Sequence, residues 1–205
     1  MKPEFSDTVL WSRLLNGEKD ALDQIYKAHF QALYQYGMRM LHQEDEVKDC
    51  LHNLFVKLWE NRKKLNPTTQ IRYYLLAALR NTIVNHRTKE SKYEKVEAND
   101  EYLFDLNFTL ESAYIRKEEI HEKTAKLAAA MNQLTPRQKE IIYLKYFEEL
   151  DYSQIAEIMG LTTKGTYKLS ARALDALREI MKVDKTSMVL LLLEFNRLYI
   201  NGILK

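Results

Sequence analysis

Between Val47 and Trp59, Val47, Cys50, Leu51, Leu54, Phe55, Leu58 and Trp59 lie at positions 47, 50, 51, 54, 55, 58 and 59. This is the i, i+3, i+4, i+7, i+8 pattern of a helix with one buried side, held without interruption. The same period runs through Leu22, Ile25, His29, Leu33, Tyr36 and Met40 upstream, and through Ile71, Leu75, Ala78 and Thr82 downstream. Three long amphipathic helices inside ninety residues can close one small core. The 205 residues include only 5 Gly and 3 Pro, too few for the tight turns of a β-sandwich or barrel. No Gly-rich phosphate loop is present, which argues against a doubly wound sheet. The expected fold class is all-α: two small helical domains joined by a flexible acidic linker, the C-terminal one containing a helix-turn-helix.

Punctuation residues set the expected boundaries. Ser6 or Asp7 caps a short first helix that Asn16-Gly17 ends, and Thr68 or Thr69 caps the helix that begins near Ile71. Residues 1–87 read as one domain. Residues 88–121 lose the helical period early and carry scattered aromatics, and they read as a linker. Ile120, Thr124, Leu127 and Met131 share a face as the pattern returns. Residues 122–183 form the second domain. Thr135-Pro136 is an N-cap followed by Pro at the first helical position. Asp151 or Ser153 caps a helix through Met159, and Gly160 ends it. Thr162 or Thr163 caps a last helix to about Met181. Residues 184–205 are an apolar tail whose longest apolar run, Met188–Leu193, is far short of the ~20 residues of a membrane span. The N-terminal MKPEFSDTVLW has no charged-then-apolar leader pattern, and the expected location is cytoplasmic. A single Cys, Cys50, sits on an apolar stripe and excludes an internal disulfide.

Charge is laid out unevenly behind a net +2. From Lys57 to Lys89 there are eight basic residues against one acid, Glu60. Such a one-sign run fits a polyanion footprint, nucleic acid being the commonest. Catalytic patterns are missing. The five His form no HExxH, no CxxC accompanies them, and neither GxSxG nor a P-loop occurs. The reading is therefore a non-enzyme without metal or cofactor. The strongest local motif is YSQIAEIMGLT, Tyr152–Thr162. Ile155, Ala156, Gly160 and Leu161 have helix-turn-helix spacing: the small Ala lets the helices approach and Gly permits the turn. The following helix would enter a DNA major groove, with Thr163, Lys164, Thr166, Tyr167 and Lys168 near bases and Arg172 at phosphate.

These segments carry a resemblance to the extracytoplasmic-function sigma factors of bacterial RNA polymerase. ALDQIYKAHFQALYQYGMRML resembles the start of that family's second conserved region. DCLHNLFVKLWENRKKL resembles its polymerase-clamp helix, IRYYLLAALRNTIVNHR its promoter-melting helix, and LTPRQKEIIYLKYFEELDYSQIAEIMGL its fourth conserved region. The four occur in order across about Thr8–Lys182. His52 and Asn53 stand where the family favours Gln and an acid, Tyr74 replaces a common Trp, and Gly165-Thr166 replace Thr-Val.

The resemblance implies a factor that binds core RNA polymerase at its clamp and flap, and that recognises and melts promoter DNA. It leaves room for an anti-sigma or other recruiting protein. The polymerase-binding side implied on the clamp helix is Asp45, Asp49, His52, Asn53, Val56 and Lys57. The implied contacts to the −10 element are Arg62, Lys63, Arg72, Tyr73, Tyr74, Arg80, Asn81 and Arg87, with arginines on phosphates and Tyr73, Tyr74 and Asn81 at displaced bases. The −35 set is the helix-turn-helix group above. A DNA-binding regulator that is not a polymerase subunit is the alternative.

Overall fold

A computed structural model describes residues 6–94, 104–106 and 118–203. Every regular element among them is helical, and the chain divides into two compact units between Glu101 and Tyr102.

The first unit contains α1 (Asp7–Leu15), α2 (Lys19–Leu41), α3 (Glu44–Asn61), a 3-10 turn (Arg62–Lys64) and α4 (Ile71–Glu94). Helices α2, α3 and α4 pack pairwise, and α1 lies against α2 and the 3-10 turn. The α3 stripe is core as expected: Val47, Cys50, Leu51, Leu54, Phe55 and Leu58 are buried. On α2, Ile25, Leu33, Tyr36 and Met40 are buried. Gly37 lets α2 and α3 touch: a Cβ there would stand 2.8 Å from Val47 Cγ1. The buried line of α4 differs from the expected one. It is Ile71, Leu75, Leu76, Leu79 and Ile83, while Ala78 and Thr82 are half-buried. Leu79 and Ile83 offer more apolar area than Ala and Thr, so the helix turns them inward. Its start also differs. Thr68 Oγ1 accepts only the Gln70 N–H, and the first helical N–H, that of Ile71, donates to the Asp7 carboxylate at 2.9 Å. Trp11 of α1 adds an indole N–H donated to the Asn66 carbonyl at 2.9 Å.

The second unit contains α5 (Glu118–Asn132), α6 (Pro136–Ile142), a π turn (Tyr143–Phe147), α7 (Tyr152–Met159), α8 (Thr163–Met181) and α9 (Lys185–Ile203). Leu127 and Met131 of the expected α5 face are buried, whereas the Ile120 and Thr124 side chains lie outside the described residues. Thr135 and Gln138 form a reciprocal capping box with Pro136 at the first position of α6. The apolar tail is a helix. Met188, Leu192 and Phe195 of α9 are buried, and α9 packs on α8 and the π turn. Within the stretch that reads as linker, α4 continues to Glu94, and Phe104 and Leu106 are buried in the second unit. No helix among the described residues is long and apolar enough to cross a membrane.

Candidate functional site

On α3, Asp45, Asp49, His52, Asn53, Val56 and Lys57 are all exposed. Their spacing of three and four residues lays them in one stripe opposite the buried one. The stripe borders a feature that sequence reasoning missed. A groove of about 580 Å³ runs between α2 and α3, lined by Leu22, Tyr26, Phe30, Phe55, Val56 and Trp59, with His52 on its wall. Tyr26, half open to solvent, meets Phe30 and Phe55 at centroid distances of 4.9 Å each. The available signal was the run Tyr26, Phe30, Tyr34, three aromatics four apart and off the Ile25–Leu33–Tyr36 stripe. At the N-terminal end of α3, Glu44 and Lys48 pair at 2.7 Å. Each holds the other charged, the Glu44 carboxyl below its ordinary range and the Lys48 ammonium above it, chiefly through their hydrogen bond.

The eight residues expected at the −10 element separate into two groups. Lys63, Arg72 and Asn81 are exposed and Tyr73 is half-exposed. The other four are buried or half-buried. Arg62 turns back on α3: its Nη1–H donates to the Trp59 carbonyl at 2.6 Å, and its guanidinium lies 4.0 Å from the centre of the Trp59 ring. Arg80 is buried. Arg87 donates through Nη2 to the Met40 carbonyl at 2.6 Å, near the C-terminal end of α2, where a cation also suits the helix dipole. Tyr74 packs edge-on against Trp11 at 4.9 Å, and burial raises its phenol pKa. Of these four, Arg80 is buried and is a fold residue rather than a phosphate contact, while Arg62, Arg87 and Tyr74 stay half-exposed as they make these contacts. A cleft of about 290 Å³ opens beside Tyr74, between α3 and α4, with Leu58, Leu75 and Ala78 on its walls and Lys57, Asn61 and Thr82 as its polar lining.

The helix-turn-helix is built as its sequence indicates. The Asp151 carboxylate accepts the Gln154 N–H at 2.9 Å while Gln154 Oε1 accepts the Asp151 N–H at 2.9 Å. Ser153 Oγ–H donates to the same carboxylate at 2.6 Å, and these bonds hold its pKa below the ordinary range, the Ser153 bond contributing most. Gly160 closes α7 at φ +64°, a left-handed conformation that favours Gly. Thr162 Oγ1 then accepts the Gly165 N–H at 3.1 Å to start α8. Gly165 has a purpose here: a Cβ would sit 3.1 Å from that same Oγ1, tight against the cap.

Thr163, Lys164, Tyr167, Lys168 and Arg172 are exposed on α8. Thr166 is not. It is fully buried, and its hydroxyl donates to the Thr162 carbonyl at 3.1 Å, so it serves the first turn of the helix and leaves the candidate DNA set. Tyr152, absent from the sequence-based set, backs Tyr167. Their ring centroids are 4.2 Å apart, Tyr152 Oη lies 3.1 Å from Ser170 Oγ, and the Lys145 ammonium stands 4.9 Å from the Tyr152 ring centre. Among the described residues no group of three or more His, Cys, Asp or Glu side chains could hold a metal ion.

Comparison with known proteins places both units. Residues 25–93 match the family described as Sigma-70 region 2, and residues 124–177 match Sigma-70, region 4. The chain is 24% identical over 143 residues to the RNA polymerase sigma factor YlaC of Bacillus subtilis (strain 168), covering 69% of this chain and 81% of that one. It is 21% identical over 159 residues to the ECF RNA polymerase sigma factor SigM of the same organism, covering 78% and 94%. The fold is similar to that of CnrH, solved in complex with the cytosolic domain of CnrY, with a TM-score of 0.55 at 18% identity over 88% of this chain and 99% of that chain.

Proposed function

The chain belongs to the sigma-70 family as an RNA polymerase sigma factor of the extracytoplasmic-function class, and from that premise we propose how its residues divide the work. The outer side of α3, with Asp45, Asp49, His52, Asn53, Val56 and Lys57, holds the polymerase clamp. Lys63 and Arg72 neutralise phosphates of the −10 element, while Tyr73 and Asn81 meet its separated bases. The 290 Å³ cleft between α3 and α4, apolar on its walls with Lys57, Asn61 and Thr82 as its polar lining, has room for one unstacked base. On α8, Lys164, Lys168 and Arg172 anchor the −35 duplex, and Thr163 and Tyr167 face its base edges. The factor acts by binding and by stabilising open DNA. No covalent step, metal or cofactor is assigned to it, and it works in the cytoplasm where polymerase is found. An anti-sigma protein is a partner class that the fold accommodates.

The observation that carries this reading is the two-sided build of α3. One side is spent on the core, and the other presents six exposed residues that no element of the unit covers. Gel filtration of the full chain with core RNA polymerase, without DNA, tests it. Co-elution is expected. Separate elution would instead favour a DNA-binding regulator that is not a polymerase subunit.

A further inference from the structure

Tyr167 is 55% exposed one turn into α8, yet its ring does not stand free. It lies 4.2 Å, centre to centre, from the ring of Tyr152 at the start of α7, with a tilt of 40° between them. Tyr152 is itself held from two further sides. Its hydroxyl lies 3.1 Å from the Oγ of Ser170, which is 1% exposed. The Lys145 ammonium of the π turn stands 4.9 Å from its ring centre, a cation–π approach, while donating to the Leu150 carbonyl at 3.0 Å. The π turn, α7 and α8 thus converge on one ring, and Tyr167 rests against it. An exposed side chain normally surrenders rotamer freedom when it binds, and a ring already seated on a fixed neighbour surrenders less.

The second helix of a helix-turn-helix lays its N-terminal residues on base edges in the major groove. Around Tyr167 the phosphates have other claimants, since Lys164, Lys168 and Arg172 are exposed cations on the same helix. Tyr167 brings no charge. Its single hydroxyl cannot make the paired hydrogen bonds by which Arg reads guanine or Asn reads adenine. It brings instead a broad apolar ring in a fixed place. The apolar feature that a base pair displays in the major groove is the C5 methyl group of thymine.

We propose that Tyr167 reads the methyl group of a thymine in the −35 element, and that Tyr152 is the positioning residue that holds it there. The proposal rests on the assignment above of α8 to the −35 duplex. The full chain, joined to core RNA polymerase, is first used to select duplexes from a randomised pool of promoter length. The preferred −35 half is then remade with uracil for thymine, one position at a time, which removes a methyl group and nothing else. Binding by the holoenzyme should weaken about four-fold at one position or two neighbouring ones, the effect of one buried methyl group. Tyr167→Phe should keep that discrimination and Tyr167→Ala should lose it. Tyr152→Leu keeps apolar bulk without the flat ring, and it should lose the discrimination although Tyr167 is untouched. Tyr152→Phe should retain it. A merely structural role for Tyr152 would instead weaken binding to thymine and uracil duplexes alike, and that result would remove it as a positioning residue. A −35 half without a preferred thymine, a holoenzyme indifferent to every methyl group, or undiminished discrimination in Tyr167→Ala would overturn the methyl contact. Weaker binding by Tyr167→Phe with no response to uracil would put the phenol on phosphate and overturn it too. A holoenzyme that enriches no duplex over core polymerase alone would count against the promoter assignment itself, which keeps the two failures distinct.

Discussion

The Asp7 carboxylate accepts the backbone N–H of Ile71 at 2.9 Å across 64 residues of sequence. Helix α4, which carries the candidate strand-opening residues, thus has its first donor satisfied from α1 and not from its own approach. Trp11 reinforces the same junction through the Asn66 carbonyl and the Tyr74 ring. Asp7→Ala should cost about 1 kcal/mol, the usual loss for a helix cap. It should also raise amide exchange at Ile71–Tyr74 before any other part of the unit. Asp7→Asn keeps an acceptor and should retain most of the stability in urea unfolding. Equal exchange in Asp7→Ala and wild type would show that α1 does not hold the start of α4.

That contact marks the limit of what the sequence could reveal. Stripes and local caps were legible: the α3 core line, the Thr135 capping box, the Asp151 cap and the Gly160 turn all follow from residues within a few positions of one another. What failed depended on distant partners. Nothing local says that Asp7 caps α4 or that Arg87 serves the Met40 carbonyl. A run of eight basic residues therefore overstated the cationic surface, because Arg80 is buried and Arg62 and Arg87, both half-buried, each give a donor to a backbone carbonyl of the fold. Thr166 failed for a different reason. Position 166 faces inward from α8, and its hydroxyl bonds one turn back, a choice that side-chain chemistry alone does not disclose.

Gly37→Ala should destabilise the first unit although Ala is the better helix former. The added Cβ would stand 2.8 Å from Val47 Cγ1, and Val47 is fully buried. Overpacking of this kind costs about 1–3 kcal/mol, more than the ~1 kcal/mol gained in propensity. In a double-mutant cycle read by thermal unfolding, Val47→Ala should recover part of the loss. Additive effects of the two substitutions would contradict the close approach.

Acid should release the α7 cap. The Asp151 pKa is held low by the Ser153 hydroxyl first and the Gln154 N–H second. A carboxylate depressed in the folded state adds stability that is present above its unfolded value, about 3.9. That stability is lost as pH falls through the lower folded value. Asp151→Asn keeps an acceptor for Gln154 but cannot titrate. The wild type should therefore lose more stability than Asp151→Asn between pH 5 and 2, the window around and below these values. Parallel pH profiles would remove Asp151 from the acid response.

Asp49→Arg with Asn53→Arg should abolish binding to core polymerase while leaving the fold intact. Both side chains are exposed and on the side of α3 away from its core stripe. Exposed substitutions of this kind usually shift stability by no more than about 0.5 kcal/mol. The helical circular dichroism and the melting curve should therefore match those of the wild type. Placing two cations beside the 580 Å³ groove should repel a basic partner surface and crowd any partner that seats there. Wild-type affinity for core polymerase in this variant would remove the outer side of α3 as the docking surface.

Truncation after Asp184 should destabilise the second unit rather than merely remove a docking element. The deletion takes away Met188, Leu192 and Phe195, which are 0%, 0% and 6% exposed. Each such side chain contributes about 1.5–3 kcal/mol on burial, and together they approach the entire stability of a small domain. It also uncovers Phe147, which packs edge-on against Phe195 at 6.1 Å. The melting temperature of this unit should fall by at least ~10 °C, at several degrees per kcal/mol for a domain this small. Leu190 and Leu193 are the contrast, being 61% and 46% exposed on the same helix. Leu190→Gln with Leu193→Gln should leave the melting temperature within about two degrees of wild type. If that double variant melts as low as the truncation, α9 is seated by a different face. If the truncation melts like the wild type, α9 is not part of the core.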